Sequence, residues 1–259
     1  EELRRAEPRW ERDAATGDLL FRTFVGGNGT DVLRGVDLDP SGNIHATGYS
    51  DSTNLPTVNA FQPTYGGGSR DAMVLKLSPE GVLLTSTYFG GTQEDIGTGI
   101  AVDAAGRPHV VGLTSSPGFP TLNAIQPQLA GQDDGFVGAF SSTGGLVFST
   151  LFGGTSFDWP NAIDVDSSGA IYFAGRGFSL DYPVVNAFQP TRVFGQTQGF
   201  LTKLSPGGSS IEYSTYFGSG GCSSDEGITD VVVDPAGAPI VVGFARCATG
   251  FPIKDAIQP

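Results

Sequence analysis

The sequence predicts an all-β protein, a β-propeller with four blades of four antiparallel strands each. A unit of 63 to 65 residues recurs four times along the 259-residue chain. Each unit holds four short apolar runs separated by turn residues, the pattern typical of strands joined by hairpins. Glycine is abundant at 39 copies and charged residues make up only 16%, which suits short strands and tight turns.

Each repeat starts at an aromatic-Gly-Gly step, in the strings TFVGG, TYFGG, TLFGG and TYFGSGG. The first glycines of the four steps are Gly26, Gly90, Gly153 and Gly218. An apolar strand follows and ends at an aspartate, which is Asp39, Asp103, Asp166 or Asp234. A glycine three residues after each aspartate predicts a hairpin turn into the second strand.

The second half of each repeat contains a longer loop with an apolar-Pro step and a motif such as NAFQP. Third and fourth strands, for example DAMVLKLS and GVLLTSTYF, complete the unit. Together these strings resemble the bacterial seven-bladed-type β-propeller repeat family (SBBP repeat), from about Gly17 to Pro259. The resemblance implies a propeller in a secreted or surface-exposed bacterial protein, and it implies no shared catalytic residue.

The two ends of the chain predict how the ring closes. The chain stops at the fourth NAIQP-type motif, and its first residues match the third and fourth strands of a repeat. We therefore expect one mixed blade from both termini, with residues 1–259 forming a single β-propeller domain. The alternative is that four repeats were cut from a longer array. Because the chain does not begin with Met, we expect it to be part of a larger polypeptide or assembly.

The third strand of the mixed blade is the weak point of this prediction. In the register of the other repeats, the charged residues Arg9, Glu11 and Asp13 take its apolar positions. A shift of one residue, which would turn Trp10 inward, is the alternative register.

The charge of the chain narrows the classes of partner. A net charge of −13 repels phosphate backbones and so disfavours nucleic-acid binding. No apolar run approaches the roughly 20 residues of a membrane span, so we expect no membrane insertion. An acidic surface is compatible with cation binding and with an extracellular or cell-surface location.

The loops that enter the blades share an acidic residue eight positions before the strand-end aspartate. The four residues are Asp31, Asp95, Asp158 and Glu226. A ring of such oxygen ligands at the channel mouth would suit Ca²⁺ or another hard cation. The alternative is that each acid caps its own loop by accepting hydrogen bonds from backbone N–H groups, and the regular repetition favours that role.

The third repeat carries aromatic residues that the others lack. Phe157, Trp159 and Pro160 lie in its entering loop, and Arg176, Phe178 and Tyr182 lie in the next loop. We predict a ligand site formed by Trp159, Phe157, Arg176 and Tyr182, since exposed aromatic rings stack on sugars and on partner side chains. The alternative is packing between neighbouring loops.

Three functions remain open on the sequence. The first is an extracellular or cell-surface binding or scaffold module that uses its long-loop face for carbohydrate or protein ligands. The second is a cation-dependent hydrolase or lyase acting on polysaccharide, with Asp158, Asp225, Glu226 and Arg176 as candidates. The third is a structural unit of a surface or filament assembly. The sequence has no GxSxG, HExxH or P-loop motif, so we favour a non-enzymatic role.

The fourth repeat predicts a disulfide between Cys222 and Cys247. Its two loop insertions each contain one of these cysteines, and both loops belong to one face of one blade. Such a bond stabilises loops by restricting the unfolded chain and forms in an oxidising compartment. Mass spectrometry of the native protein after alkylation should therefore show no modified thiol, and alkylation after reduction should show two. Two free thiols in the native protein would contradict the pairing.

Overall fold

The computed structural model describes residues 9–12, 19–192, 197–219 and 225–246. Every regular element in these residues is a β-strand. The sixteen strands are β1 (Arg9–Arg12), β2 (Leu19–Thr23), β3 (Asp31–Leu38), β4 (Ile44–Ser50), β5 (Asp71–Leu77), β6 (Leu83–Phe89), β7 (Asp95–Val102), β8 (Pro108–Thr114), β9 (Asp134–Phe140), β10 (Leu146–Phe152), β11 (Asp158–Val165), β12 (Ile171–Gly177), β13 (Gln198–Leu204), β14 (Ile211–Phe217), β15 (Glu226–Val233) and β16 (Pro239–Ala245).

The strands form three complete blades. Blade 1 is the antiparallel sheet β3-β4-β5-β6, blade 2 consists of β7 to β10, and blade 3 consists of β11 to β14. Two further sheets have two strands each, β1-β2 and β15-β16, and the second of these begins blade 4. The structure thus confirms the all-β fold and the four-stranded antiparallel blades. The described part of the chain holds no helix that could span a bilayer.

Successive blades pack through the first strand of the later blade. Strand β7 lies against β3 and β4, β11 against β7 and β8, and β15 against β11 and β12. The apolar core lies between the sheets, where Phe89, Phe136 and Phe140 form edge-to-face contacts between blades 1 and 2. Burial of such aromatic surface supplies the main free energy of blade packing.

A glycine at the same place in each second strand allows the first two strands to pair. The four residues are Gly48, Gly112, Gly175 and Gly243. A Cβ atom added to Gly112 would overlap the carbonyl oxygen of Ile96 on β7, and the other three would meet the corresponding carbonyls of their own blades. The close approach occurs next to a bulge in the first strand, which for blade 2 lies between Gly97 and Gly99.

The strand-end aspartates form the predicted hairpin turns. The Oδ1 atom of Asp103 accepts hydrogen bonds from the backbone N–H groups of Ala105 and Arg107, both at 2.9 Å, while Gly106 has a φ of 74°. Burial alone would raise the pKa of Asp103, but the hydrogen bonds from Arg107 and His109 outweigh it and lower the pKa. His109 lies 3.3 Å from the same carboxylate. This histidine, near the start of β8, is therefore buried against the aspartate of the turn.

The N-terminal hairpin β1-β2 lies beside blade 1 in the place of a preceding blade's outer strands. The ring of Phe21 lies 2.8 Å from the position that a Cβ on Gly81 would occupy. In the same way, Phe148 of blade 2 lies against Gly208 of blade 3. The two hairpins therefore have equivalent places in the array.

The pairing within this hairpin uses the shifted register. Trp10 lies opposite Arg22, which places it where Leu75 lies in blade 1. Among the described residues β16 does not pair with β1, since each remains in its own two-stranded sheet. Closure of the ring by a mixed blade, and a single domain over residues 1–259, therefore stay predictions.

The second-strand glycine gives a test of the blade geometry. Substitution Gly112→Ala should destabilise the protein by about 2–3 kcal/mol, because the new methyl group must displace backbone at the bulge. Gly118→Ala is the matched control, since nothing lies within 4 Å of the added atom. The midpoints of urea unfolding compare the two variants. Equal midpoints would contradict this account of the repeated strand spacing.

Candidate functional site

Each entering-loop acid binds the second glycine of its aromatic-Gly-Gly step or the residue in its place. The Oδ2 atom of Asp158 accepts a hydrogen bond of 2.8 Å from Gly154 N–H and one of 2.6 Å from Ser179 Oγ. Asp95 binds Gly91 N–H at 2.7 Å and Ser116 Oγ at 2.9 Å in the same arrangement. Ser179 and Ser116 follow the second strand, so the acid joins the two loops at one end of its blade.

The first and fourth acids also cap their loops. Asp31 accepts hydrogen bonds from Gly27 N–H at 2.8 Å and from Ser52 Oγ at 2.8 Å. Glu226 accepts from Ser219 N–H at 2.7 Å and Ser219 Oγ at 2.5 Å. The structure therefore places all four acids in loop caps, the alternative that their regular repetition favoured.

These caps use the carboxylates inside separate loops. Asp31, Asp95, Asp158 and Glu226 are all buried. Within the ranges that the structure describes, no three His, Cys, Asp or Glu side chains come together in a group that could hold a metal ion. A Ca²⁺ role for the four acids stays a prediction, and their observed contacts are structural.

A second acidic position, at the start of the third strand, was not singled out from the sequence. The Oδ2 atom of Asp71 accepts a hydrogen bond of 2.6 Å from Gly66 N–H, and that of Asp134 accepts one of 2.7 Å from Ala130 N–H. The glutamine of the NAFQP motif connects this acid to the glycine step. Gln126 donates to Asp134 at 2.8 Å and accepts from Gly153 N–H at 3.1 Å.

The two acidic positions meet at the blade junction. A Cβ atom added to Gly90 would lie 2.8 Å from Cγ of Asp71 and 2.7 Å from Oδ2 of Asp95. Burial raises the pKa of Asp71 to about 7, and the neighbouring charge of Asp95 adds to the shift. Burial likewise raises the pKa of Asp95 to about 6. A side chain on Gly90 would fill the space that this carboxyl pair occupies.

The same pair of buried acids recurs at the junction between blades 2 and 3, and it changes at the junction between blades 3 and 4. Burial raises the pKa of Asp134 to about 6, with Asp158 as a nearby charge, and it also raises the pKa of Asp158. In blade 3 the position of Asp134 is taken by Gln198, which lies beside Gly218 together with Glu226. The amide takes the place of one of the two carboxyl groups at that junction.

The aromatic residues of repeat three form a surface cluster. The ring of Trp159 lies 5.7 Å from that of Phe157 and 6.2 Å from that of Phe178, measured between centroids. The guanidinium of Arg176 lies 5.2 Å from the centre of the Trp159 ring, within cation–π range. We call Phe157, Trp159, Arg176 and Phe178 the aromatic cluster, and all four residues are partly exposed.

Hydrogen bonds and a second arginine hold the cluster together. Phe178 N–H donates to the carbonyl oxygen of Phe157 at 2.7 Å, which joins the entering loop to the loop after β12. Arg192 donates to the carbonyl oxygen of Phe178, and its guanidinium lies 5.9 Å from the Phe178 ring. The Nε1 atom of Trp159 is buried and has no hydrogen-bond partner among the described residues. The Nε atom of Arg192 is a second buried donor without a partner among the described residues. The arrangement combines aromatic faces with two cations.

Tyr182 corrects the predicted ligand site. Its side chain is only 2% exposed, and its ring stacks on Phe200 with centroids 4.5 Å apart. The hydroxyl lies 3.2 Å from Oγ1 of Thr202. The aromatic before proline is thus a core residue that anchors the long loop, and the structure brings together only Phe157, Trp159 and Arg176 of the predicted four.

The remaining predicted residues divide between described and undescribed parts of the chain. Asp225, a candidate for the enzymatic alternative, accepts a hydrogen bond of 3.0 Å from Oγ1 of Thr197 and so links the loops before β13 and β15. Cys222 and Cys247 lie outside the described residues. Their disulfide stays a prediction.

The comparison with known families agrees with the geometry. Three complete four-stranded blades packed in order define a β-propeller-type module. The family model described as SBBP, beta-propeller repeat, matches residues 21–56, which run from β2 through the loop after β4. This match confirms the resemblance drawn from the repeat motifs. No curated protein matches the chain.

The buried carboxyl pair predicts a pH dependence that one substitution isolates. An unfolded aspartate titrates near 3.9, so between about pH 4 and pH 7 the unfolded Asp71 is ionised while the folded one keeps its proton. Its contribution to stability therefore falls as pH rises through this window. An asparagine side chain would stay neutral, so the melting temperature of Asp71→Asn relative to wild type should rise by about 5–10 °C between pH 5 and pH 8, because two pKa units correspond to about 3 kcal/mol.

The matched control for this measurement is Asp230→Asn, which removes an exposed carboxylate. Its melting temperature relative to wild type should be the same at both pH values. Calorimetry of the three proteins makes the comparison, and a difference for Asp71→Asn that does not change with pH would refute the buried protonated carboxyl.

Proposed function

We propose that this protein is a non-enzymatic binding module that takes a carbohydrate ligand on the aromatic cluster of blade 3. The observation that carries the proposal is the partly exposed set of Phe157, Trp159 and Phe178 flanked by Arg176. Exposed aromatic rings on loops of a rigid sheet scaffold are a common means of ligand recognition.

The chemistry of the cluster favours a sugar. The apolar face of a pyranose ring stacks on an indole, and its hydroxyl groups need donors nearby. Arg176 supplies charged donors 5.2 Å from the centre of the Trp159 ring. A protein side chain could stack on the same rings, but it would leave more of the hydrogen-bond donors of Arg176 unpaired.

The pair of Trp159 and Arg176 does not recur in the other blades. In blade 1 their positions hold Val32 and Tyr49. The positions of Trp159 and Arg176, which lie opposite each other in blade 3, are Ile96 and Leu113 in blade 2. In blade 4 they are Gly227 and Phe244. A residue pair needed only for blade packing would recur in every repeat. We therefore infer that Trp159 and Arg176 have a role that is particular to blade 3.

The proposed setting is the cell surface or the extracellular medium. The net charge of −13 supports solubility there, and a bond between the two cysteines of the chain would suit an oxidising compartment. The rigid blades would then act as a scaffold that presents the long-loop face to polysaccharide.

A glycan array followed by calorimetric titration tests the proposal. Trp159→Ala should weaken binding of the best glycan about tenfold, because loss of ring stacking costs about 1.4 kcal/mol. Phe188→Ala is the control, since Phe188 is an exposed ring outside the cluster. Binding that survives Trp159→Ala unchanged, or an array without any bound glycan, would overturn the proposal.

A further inference from the structure

Two arginine side chains bring positive charge to the aromatic cluster. The guanidinium of Arg176 lies 5.2 Å from the centre of the Trp159 ring, and that of Arg192 lies 5.9 Å from the centre of the Phe178 ring. The centroids of these two rings are 6.2 Å apart, and both arginines are partly exposed. The two cations therefore belong to one surface, which has the size of a few sugar rings.

Neither of these guanidinium groups forms an ion pair with a described residue. The described lysines and arginines that do form ion pairs are Arg70, Lys76, Arg107 and Lys203. The segment 193–196, which follows the second arginine of the cluster, contains no acidic residue. On a protein with a net charge of −13, two cations beside exposed rings therefore remain available to an anion from outside.

The acidic residues of the two loops that carry the cluster have partners of their own. Asp158 is buried and accepts hydrogen bonds from Gly154 N–H and Ser179 Oγ at 2.8 and 2.6 Å. Asp181 accepts from the backbone N–H and from Oγ1 of Thr155, at 2.9 and 3.0 Å. These carboxyl groups hold the loops in place, so they do not occupy the donors of the two arginines.

The repeat architecture does not require a cation at either position. The position of Arg176 holds an uncharged residue in each of the other three blades. Arg192 lies two residues after the NAFQP motif, where repeats 1 and 2 have Tyr65 and Leu129. Those two side chains pack against buried apolar clusters. Two separate departures from the repeat thus introduce arginine, and both arginines lie at the same aromatic cluster.

We propose that the ligand of the aromatic cluster is an acidic polysaccharide whose sugar rings carry carboxylate groups, as uronic acids do. A pyranose ring stacks on Trp159, and carboxylates of this ring and its neighbours pair with Arg176 and Arg192. A planar guanidinium group can donate two parallel hydrogen bonds to a carboxylate, and such charge-assisted bonds are stronger than those to a neutral hydroxyl. The inference rests on the carbohydrate site proposed above and names the class of sugar.

A matched pair of ligands tests the class of sugar. On an array of neutral, carboxylated and sulfated glycans, the best-bound glycan should contain uronic acid. Calorimetric titration then compares this glycan with its carboxyl-reduced form, in which each carboxylate has become a hydroxymethyl group and the rest of the ring is unchanged. Reduction should weaken binding about tenfold or more, because it removes the charge-assisted hydrogen bonds and keeps the stacking.

Substitutions in the protein test the two arginines. Arg176→Gln and Arg192→Gln should each weaken binding of the acidic glycan about tenfold, and binding of the reduced glycan by a smaller factor. Trp159→Ala should weaken binding of both glycans by the same factor. Arg34→Gln is the matched control, because the exposed Arg34 also lies over an aromatic ring, 5.4 Å from the centre of Tyr49, but outside the cluster. Unchanged melting temperatures confirm that the variants fold.

The salt dependence gives a second readout. Raising sodium chloride from about 0.05 M to about 0.5 M should weaken binding of the acidic glycan, because salt screens the attraction between exposed opposite charges. Binding of the reduced glycan should change little. Binding of the acidic glycan that strengthens with salt would show that the net negative charge of the protein outweighs the two arginines, and it would contradict the proposal.

The results separate a failure of this inference from a failure of the carbohydrate site. A best-bound glycan that is neutral or sulfated, or an affinity that survives carboxyl reduction or both arginine substitutions, would overturn the preference for carboxylated sugars. Binding that Trp159→Ala abolishes would still support the carbohydrate site in that case. An array without any bound glycan would overturn the site itself, and the inference with it.

Discussion

The bond between a buried acid and the second glycine of the aromatic-Gly-Gly step fixes how each blade leads into the next. Gly91 and Gly154 donate to Asp95 and Asp158, four residues later, at 2.7 and 2.8 Å. The same carboxylates accept from a serine after the second strand, so one side chain holds two loops. The first strand of the blade starts at this acid, and in all four blades its bulge begins two residues later.

The sequence predicts most of this architecture because the same pattern of strands and turns occurs four times along the chain. Apolar runs at constant spacing give the strands, and the Asp-to-Gly spacing gives the hairpin turn that Asp103 and Gly106 form. Asp158 could also be placed in its loop from spacing alone. What spacing does not give is the fold of the long loop, so the link from Gln126 to Asp134 could not be predicted. The one sequence feature that points to this link is the glutamine that recurs in every NAFQP motif.

The candidate site was predicted only in part for a related reason. Phe157, Trp159 and Arg176 depart from the repeat, and the structure brings these three together at the surface. Tyr182 belongs to the repeated apolar-Pro step, and it stacks in the core on Phe200, as its described equivalent Phe119 does on Phe136. A residue that recurs in step with the blades was better explained by packing than by a ligand.

The fourth repeat shows which changes in loop length the loop cap tolerates during evolution. There the donor is Ser219 and the acceptor is Glu226, seven residues apart instead of four, and the extra methylene of glutamate keeps the bond at 2.7 Å. Loop length and blade placement are therefore uncoupled at this point. A lineage carrying this repeat can lengthen one entering loop by insertion, keep the neighbouring sheets in place, and so acquire a new surface on one blade while the others remain unchanged.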